Sequence, residues 1–442
     1  MCGHTGCTHP GERFAEGAEL LRTGRRNLLQ VAGAGAAATA ISSALGAPSA
    51  AAADARAGGR KRAYVVVLDG CRPDEITPTT MPTVAGLRAA GRNFPRASSL
   101  PIMETIPNHV MMMTGVRPDR SGVPANDIYD RKLGADRTMD RRGDIRAATV
   151  ISRLNATGRV TGTVLSKEYL YGVFGNRATH RWEPAPIIPV SEHAPDLFTM
   201  QATLDMVEAF DPHLVFVNLG DIDRTGHSDV TGPYADARLA RRAALTATDQ
   251  QVARLVDLLR STGRWRDSLL VFLADHSMDW STPGNLITLA GPLEDDPLLA
   301  GNVAIAQNGG ADLLYWTGPA TRRQAGVDRM LRIARAHPGV LVAHDRARTP
   351  GLRLGPNAGD VVVYCKAGCR FSDPDPSSNP IPGNHGHPAT RPIPFFLAGG
   401  HPAVRRRSTS SAHAHTVDVA PTLAQFFGLG APRGGWDGRS RL

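Results

Sequence analysis

"HLVFVNLGDIDRTGH", residues 213–227, is mostly apolar from Leu214 to Leu219 and then turns into Asp221, Asp223 and His227. A short apolar run without alternation reads as a strand buried on both faces. Four more segments share that character: "RAYVVVLDG" (62–70), "RVTGTVLSK" (159–167), "SLLVFLADHS" (268–277) and "PIPFFLAGG" (392–400). Between them lie amphipathic helices. In 250–265, Val252, Leu255, Val256 and Leu259 share one face at helical spacing. Such alternation implies an α/β sandwich, a mostly parallel sheet covered by helices on both faces. The rhythm breaks over 280–380, which is rich in Pro and Gly, with a helical stretch at 322–339 and a strand "GDVVVYC". That region reads as an inserted cap subdomain roofing the site.

In open α/β sheets, ligands collect beyond the carboxyl ends of the strands. Here those ends carry metal-ligand types: Asp69 on the first, Asp221, Asp223 and His227 on the third, Asp275 and His276 on the fourth. His385 and His387 come shortly before the fifth strand, in "GNHGH". Singly, each has an ordinary explanation as a turn, cap or salt-bridge residue. Together, carboxylates and imidazoles delivered to one sheet edge suit a site for two zinc ions, the geometry that clamps both oxygens of an in-line displacement.

A second stretch supplies the reacting group. In "METIPNHVMMMTG" (103–115), Thr105 stands at the entry of a short helix, Pro107 fits its first turn and Gly115 ends it. Thr105 is either a helix cap or a nucleophile. A metal-bound hydroxyl loses its proton far more easily than a free one. A helix N-terminus also favours an anionic phosphate, so the two roles are compatible.

The bulk properties are those of an ordinary globular protein, with 42% hydrophobic and 21% charged residues over 442 positions. The net charge of +9 rests on scattered arginines, the tightest cluster being Arg405–Arg407 with no interleaved aromatics. Nucleic-acid binding is therefore not expected, whereas small anionic substrates are. Residues 1–53 form a separate text: Arg25 and Arg26, an apolar stretch of small residues to about Leu45, then alanines near Ala53. This reads as a twin-arginine signal, handled by the Tat export machinery and removed, with residues 54–442 as the catalytic domain. The stretch is too poor in bulky side chains for a stable membrane anchor, so a secreted, periplasmic or cell-surface protein is expected. Cys2, His4, Cys7 and His9 would leave with the leader. In the mature chain Cys365 and Cys369 are spaced for a local disulfide, with Cys71 free and buried.

The ordered motifs resemble the alkaline phosphatase superfamily, in its type I phosphodiesterase/nucleotide pyrophosphatase branch. They are "LDGCRP", "TIPNHVMMMTG", "ANDIYD", "DRTGH", "ADHSM", "NHGH" and the closing "HTVDVAPTLAQFFGL", from residue 63 to about 429. The resemblance implies an alkaline-phosphatase-like three-layer sandwich and two divalent ions, most simply Zn2+. One ion would be held by Asp223, His227 and His385, the other by Asp69, Thr105, Asp275 and His276. Asp223 is preferred to Asp221 because it keeps the Asp-x-x-x-His spacing, and His385 to His387 because of the "HG" pair. Asn126 would donate its amide to a phosphoryl oxygen. Thr105 would form a phosphoryl- or nucleotidyl-threonine, later hydrolysed.

Specificity is less legible. Lys167 in "VLSKEYLYGVFG" is either a solvated strand-end lysine or a contact to an anionic substrate group. Phosphonoacetate hydrolases carry two lysines in a similar segment, but Glu168 and Tyr169 follow the single one here. A phosphomonoesterase or phosphonoacetate-hydrolase-like enzyme is the alternative within the superfamily. A sulfatase is discounted, because "CRPDE" lacks the required Cys-x-Pro-x-Arg pattern. An alternative of another class is a non-catalytic exported metal-binding protein, which would tolerate loss of the Thr105 hydroxyl.

Overall fold

The computed structural model describes residues 60–442 except 186, 188–191, 229–234 and 283. The twin-arginine segment lies outside the described residues. The central strands are β1 (Arg62–Leu68), β2 (Thr161–Leu165), β3 (Leu214–Leu219) and β4 (Ser268–Leu273). They pair in parallel, in the order β4–β1–β3–β2. These strands are buried on both faces, so continuous Val/Leu/Phe runs are favoured over alternation. Among the described residues the sheet has eight strands, and the Phe395–Ala398 strand joins it antiparallel to β4. Helices cover both faces: Asp196–Phe210 and α2 (Ala235–Ser261) pack together, while α1 (Thr105–Thr114) packs on Val419–Phe427.

Register explains why the strand ends matter. Leu68 pairs with Leu219, Leu165 with Asn218 and Val67 with Leu273. Parallel strands in such register finish level, so the residues just past them emerge at one edge. Those residues are Asp69 after β1, Lys167 after β2, Asp221 to His227 after β3, and Asp275 and His276 after β4.

Within 280–380 lies a second, four-stranded antiparallel sheet: Val303–Asn308, Ala311–Trp316, Val361–Cys365 and Val340–Asp345, in that spatial order. Its side chains alternate between two cores, as strand geometry requires. Leu313, Tyr315, Val362 and Tyr364 join the main core. Leu314, Trp316, Val361 and Val363 pack instead with Val327 and Met330 of the helix Arg323–Ala336. Cys365 and Cys369 are free, buried thiols, which corrects the disulfide expectation. Cys365 Sγ donates to the Cys369 carbonyl at 3.2 Å. Cys71 is free and buried, as expected.

Candidate metal centre and nucleophile

Thr105 does not cap its helix. It is the first helical residue, and Glu104, at the cap position, makes no capping hydrogen bond with its own side chain. Gly115 closes the helix at φ 68°, a left-handed conformation that favours glycine. The Thr105 hydroxyl is therefore left for other work. Its Oγ1 lies 3.3 Å from His276 Nε2 and accepts from Lys167 Nζ at 3.5 Å. Asn126 is held beside it, because its Oδ1 accepts from the Ile106 backbone N–H at 2.8 Å and its own N–H donates to Glu104 Oε2 at 2.8 Å.

Two clusters flank this hydroxyl. Asp69, Asp275 and His276 form one; Asp223, His276 and His385 form the other. His227 belongs with the second, its Nε2 standing 3.1 Å from His385 Nε2 and 3.4 Å from Asp223 Oδ1. Thus Asp69, Thr105, Asp223, His227, Asp275, His276 and His385 are all brought together. The competitors are placed elsewhere. Asp221 pairs with His193 at 3.0 Å, and His387 with Asp279 at 2.9 Å.

The donor chemistry can be tested against divalent ions atom by atom. Among the described residues, each carboxylate has one oxygen hydrogen-bonded by the protein and one buried without a hydrogen-bond partner. Asp69 Oδ2 meets Lys167 Nζ and Asn218 Nδ2, both at 2.8 Å, while Oδ1 is orphaned. Asp223 Oδ2 accepts from Lys167 at 2.7 Å, leaving Oδ1. Asp275 Oδ1 accepts from the Gly70 N–H at 3.2 Å, leaving Oδ2. The imidazoles follow the same rule. His227, His276 and His385 place Nδ1 on the carbonyls of Gly383, Ser277 and Met103 at 2.8, 2.9 and 3.2 Å. A carbonyl only accepts, so these contacts put the proton on Nδ1 and leave each Nε2 lone pair free. Three orphaned carboxylate oxygens and three imidazole lone pairs facing one another fit a pair of divalent cations.

Electrostatics agree with the geometry. Burial and the neighbouring Asp275 push Asp69 above the usual carboxylate range, and burial likewise raises Asp275. Burial acts the same way on Asp223, but Lys167 and His227 hold it well below that range. Burial lowers His276 to about 4 and, with His276 and His227 nearby, takes His385 well below the usual imidazole value. Both rings are thus neutral, the form that ligates.

Lys167 is not a solvated strand-end lysine. It is wholly buried and bridges Asp69 to Asp223. Burial works against its charge, but Asp223 and Asp69 raise it above the ordinary lysine value.

Two supporting residues were not singled out from the sequence. Asn218, on β3, donates Nδ2 to Asp69 Oδ2 and lies 3.0 Å from His109 Nε2; its Oδ1 accepts from Ser166 Oγ at 2.6 Å. His109 Nδ1 reaches the Thr105 carbonyl at 2.8 Å, one helical turn back. A lone asparagine inside "VFVNL" and a histidine four residues after Thr105 were the available signals. The second sheet also reaches the site. Asn308 Oδ1 accepts from the Asp127 N–H at 2.9 Å, and Gly310 N–H donates to the His385 carbonyl at 2.7 Å. A Cβ at Gly310 would lie 2.5 Å from that carbonyl oxygen and 2.3 Å from His387 Nδ1, so the hairpin needs glycine there.

This fold, with these side chains gathered at one sheet edge around a helix-borne threonine, is that of a member of the alkaline phosphatase superfamily. The profile of the type I phosphodiesterase / nucleotide pyrophosphatase family matches residues 63–387, and the chain belongs to that family. It is accordingly a hydrolase of phosphate ester or anhydride bonds. Human ectonucleotide pyrophosphatase/phosphodiesterase family member 5 is 21% identical over 389 residues, covering 84% of this chain and 75% of that protein. Bovine bis(5'-adenosyl)-triphosphatase is 22% identical over 389 residues, covering 83% and 78%. Among solved structures, an inactive threonine-to-alanine variant of murine family member 5 in complex with AMP superposes with TM-score 0.68 at 19% identity, over 84% of this chain and 96% of that one. Phosphonoacetate hydrolase from Sinorhizobium meliloti 1021 in complex with phosphonoacetate gives 0.63 at 18% identity, over 83% and 94%.

Proposed function

We propose that this protein is an exported phosphodiesterase or nucleotide pyrophosphatase that works through a covalent threonine intermediate at a two-zinc site. The observation that carries the reading is the Thr105 hydroxyl, free of any capping role and 3.3 Å from His276 Nε2 between two clusters of metal-ligand atoms. Asp223, His227 and His385 would hold one ion, and Asp69, Thr105, Asp275 and His276 the other. When bound, the ions supply the Lewis acidity that makes a hydroxyl and a water nucleophilic at working pH.

The chain's own groups do the rest. Thr105 Oγ1 attacks phosphorus, the leaving group departs with its bonding electrons, and a phosphoryl- or nucleotidyl-threonine forms. Water then displaces the threonine and restores its hydroxyl. Asn126, fixed through its Oδ1, offers Nδ2 to a phosphoryl oxygen, and the start of helix α1 adds a favourable dipole. Lys167 adds a fixed positive charge beside the reacting hydroxyl. The 280–380 region would act as the cap whose hairpin holds Asp127, the neighbour of Asn126, and His385 in place. Delivery by a twin-arginine signal over residues 1–53 completes the reading. Among the described residues no helix is long and apolar enough to cross a membrane.

The test is turnover of bis-p-nitrophenyl phosphate, p-nitrophenyl phosphate, a nucleotide sugar and phosphonoacetate by the purified zinc-loaded protein. Preference for a diester or a nucleotide sugar is expected; preference for the monoester would overturn it. A phosphonoacetate-hydrolase-like activity is the second reading, favoured by the buried Lys167 beside Thr105 and by the structural likeness to that enzyme.

A further inference from the structure

Arg224 follows Asp223 on the short helix that starts the second cluster, yet takes no part in it. Its Nε is buried without an acceptor among the described residues. What the guanidinium touches is the ring of Tyr169, with Cζ 5.9 Å from the centroid. The same ring lies 6.0 Å from Lys167 Nζ, which in turn reaches Thr105 Oγ1 at 3.5 Å. One aromatic ring is therefore flanked by two cations, one of which is beside the nucleophile.

The two cations differ in how they are used. Lys167 is spent on Asp69 and Asp223. Arg224 is not: no neighbouring carboxylate or hydroxyl among the described residues accepts a hydrogen bond from its buried Nε. A buried donor left without an acceptor is costly and calls for an explanation. A guanidinium backed by an aromatic face and lacking an acceptor is built for a planar, two-pronged contact with a carboxylate or phosphate.

We infer that Arg224, backed by Tyr169, forms a subsite for a second anionic group of the substrate, next to the phosphoryl group that Thr105 attacks. The inference rests on the phosphoryl-transfer reading above and narrows its substrate class. The favoured substrate carries an oxyanion close to the reacting phosphorus, as a phosphoanhydride or a phosphonocarboxylate does and a simple aryl diester does not.

The experiment uses the zinc-loaded full chain, as wild type, Arg224→Ala and Arg224→Lys. The ratio of kcat/KM for a nucleotide sugar over bis-p-nitrophenyl phosphate is expected to fall at least tenfold in Arg224→Ala and less in Arg224→Lys. In parallel, calorimetry on the Thr105→Ala background compares phosphonoacetate with ethylphosphonate, a pair differing by the second anion. Wild-type Arg224 should favour phosphonoacetate at least tenfold, and Arg224→Ala should erase that preference. Loss in the first arm identifies a phosphate, and loss in the second a carboxylate. Equal changes for both members of each pair, or none, overturn the subsite. If no substrate is turned over, the enzymatic reading has failed and the binding pair alone decides the subsite. Should Arg224→Ala not fold, Arg224→Gln takes its place in both arms.

Discussion

Lys167 Nζ stands 2.7 Å from Asp223 Oδ2, and neither side chain is more than 1% exposed. The same ammonium is 2.8 Å from Asp69 Oδ2, so one lysine ties the two ligand clusters together. Removing one partner of a buried ion pair costs about 3–5 kcal/mol, because the other charge is left uncompensated. Lys167→Met is expected to lose about that much stability in the presence of a chelator. With zinc the loss should be smaller, since bound cations supply charge to the same carboxylates. Urea unfolding with and without EDTA measures both; equal losses would reduce Lys167 to a packing role.

Thr105→Ala should abolish turnover, by about a thousandfold or more, as loss of a covalent nucleophile does. Zinc content should largely survive, because Asp69, Asp275 and His276 still converge. EDTA should silence the wild type as well, but added zinc should restore only the wild type. Parallel metal analysis and turnover assays separate the cases, and undiminished turnover by Thr105→Ala would favour a different nucleophile.

Asn218 orients Asp69 and sits against His109, so it acts through other residues. Asn218→Val keeps a good strand former in β3 while removing both contacts and leaving Ser166 Oγ without its acceptor. Groups that orient metal ligands typically contribute about 10–100-fold to affinity. A zinc-competition titration should show a weakening in that range, together with a stability loss of about 1–3 kcal/mol. Unchanged affinity would make Asn218 purely structural.

Acid should expose a clasp far from the site. Asp211 binds Arg62 through both carboxylate oxygens at 2.7 Å and Arg264 at 3.0 Å. Burial works upward on Asp211, but the two guanidinium groups bring it down to about 2. A depressed folded value means the stabilisation is complete above the unfolded value near ~4 and is lost as pH falls through about 2. Allowing for partial solvent screening, it amounts to about 1–2 kcal/mol. Asp211→Asn tolerates the left-handed backbone there, at φ 43°, so it tests charge alone. It should be less stable than wild type at pH 7, with the gap closing near pH 2. A gap that persists into acid would assign the effect to packing.

The central strands were legible because a doubly covered parallel strand is a near-continuous apolar run, as 63–68, 214–217 and 269–274 are. The second sheet was only partly legible. "GDVVVYC" was visible as a strand, but Val303–Asn308, Ala311–Trp316 and Val340–Asp345 were not singled out. Their side chains serve two cores, or remain half exposed, and so lack a continuous apolar signature. The Cys365/Cys369 spacing suggested a bond that the thiols do not make, because spacing along the chain does not set the geometry of two sulfur atoms.

The linear order of residues, by itself, determined the α/β class, the nucleophile candidate and the list of metal-ligand types, because strand ends and helix entries are written locally. Only the tertiary structure decided which atoms meet. Asp223 and His385, preferred from spacing, face the clusters, but only the fold shows that Asp221 and His387 turn to His193 and Asp279 and that Lys167 turns inward as a buried counter-ion. The physical reason is that strand register and hairpin packing bring together side chains distant in sequence, and these contacts fix which oxygen of each carboxylate is engaged and which is left free.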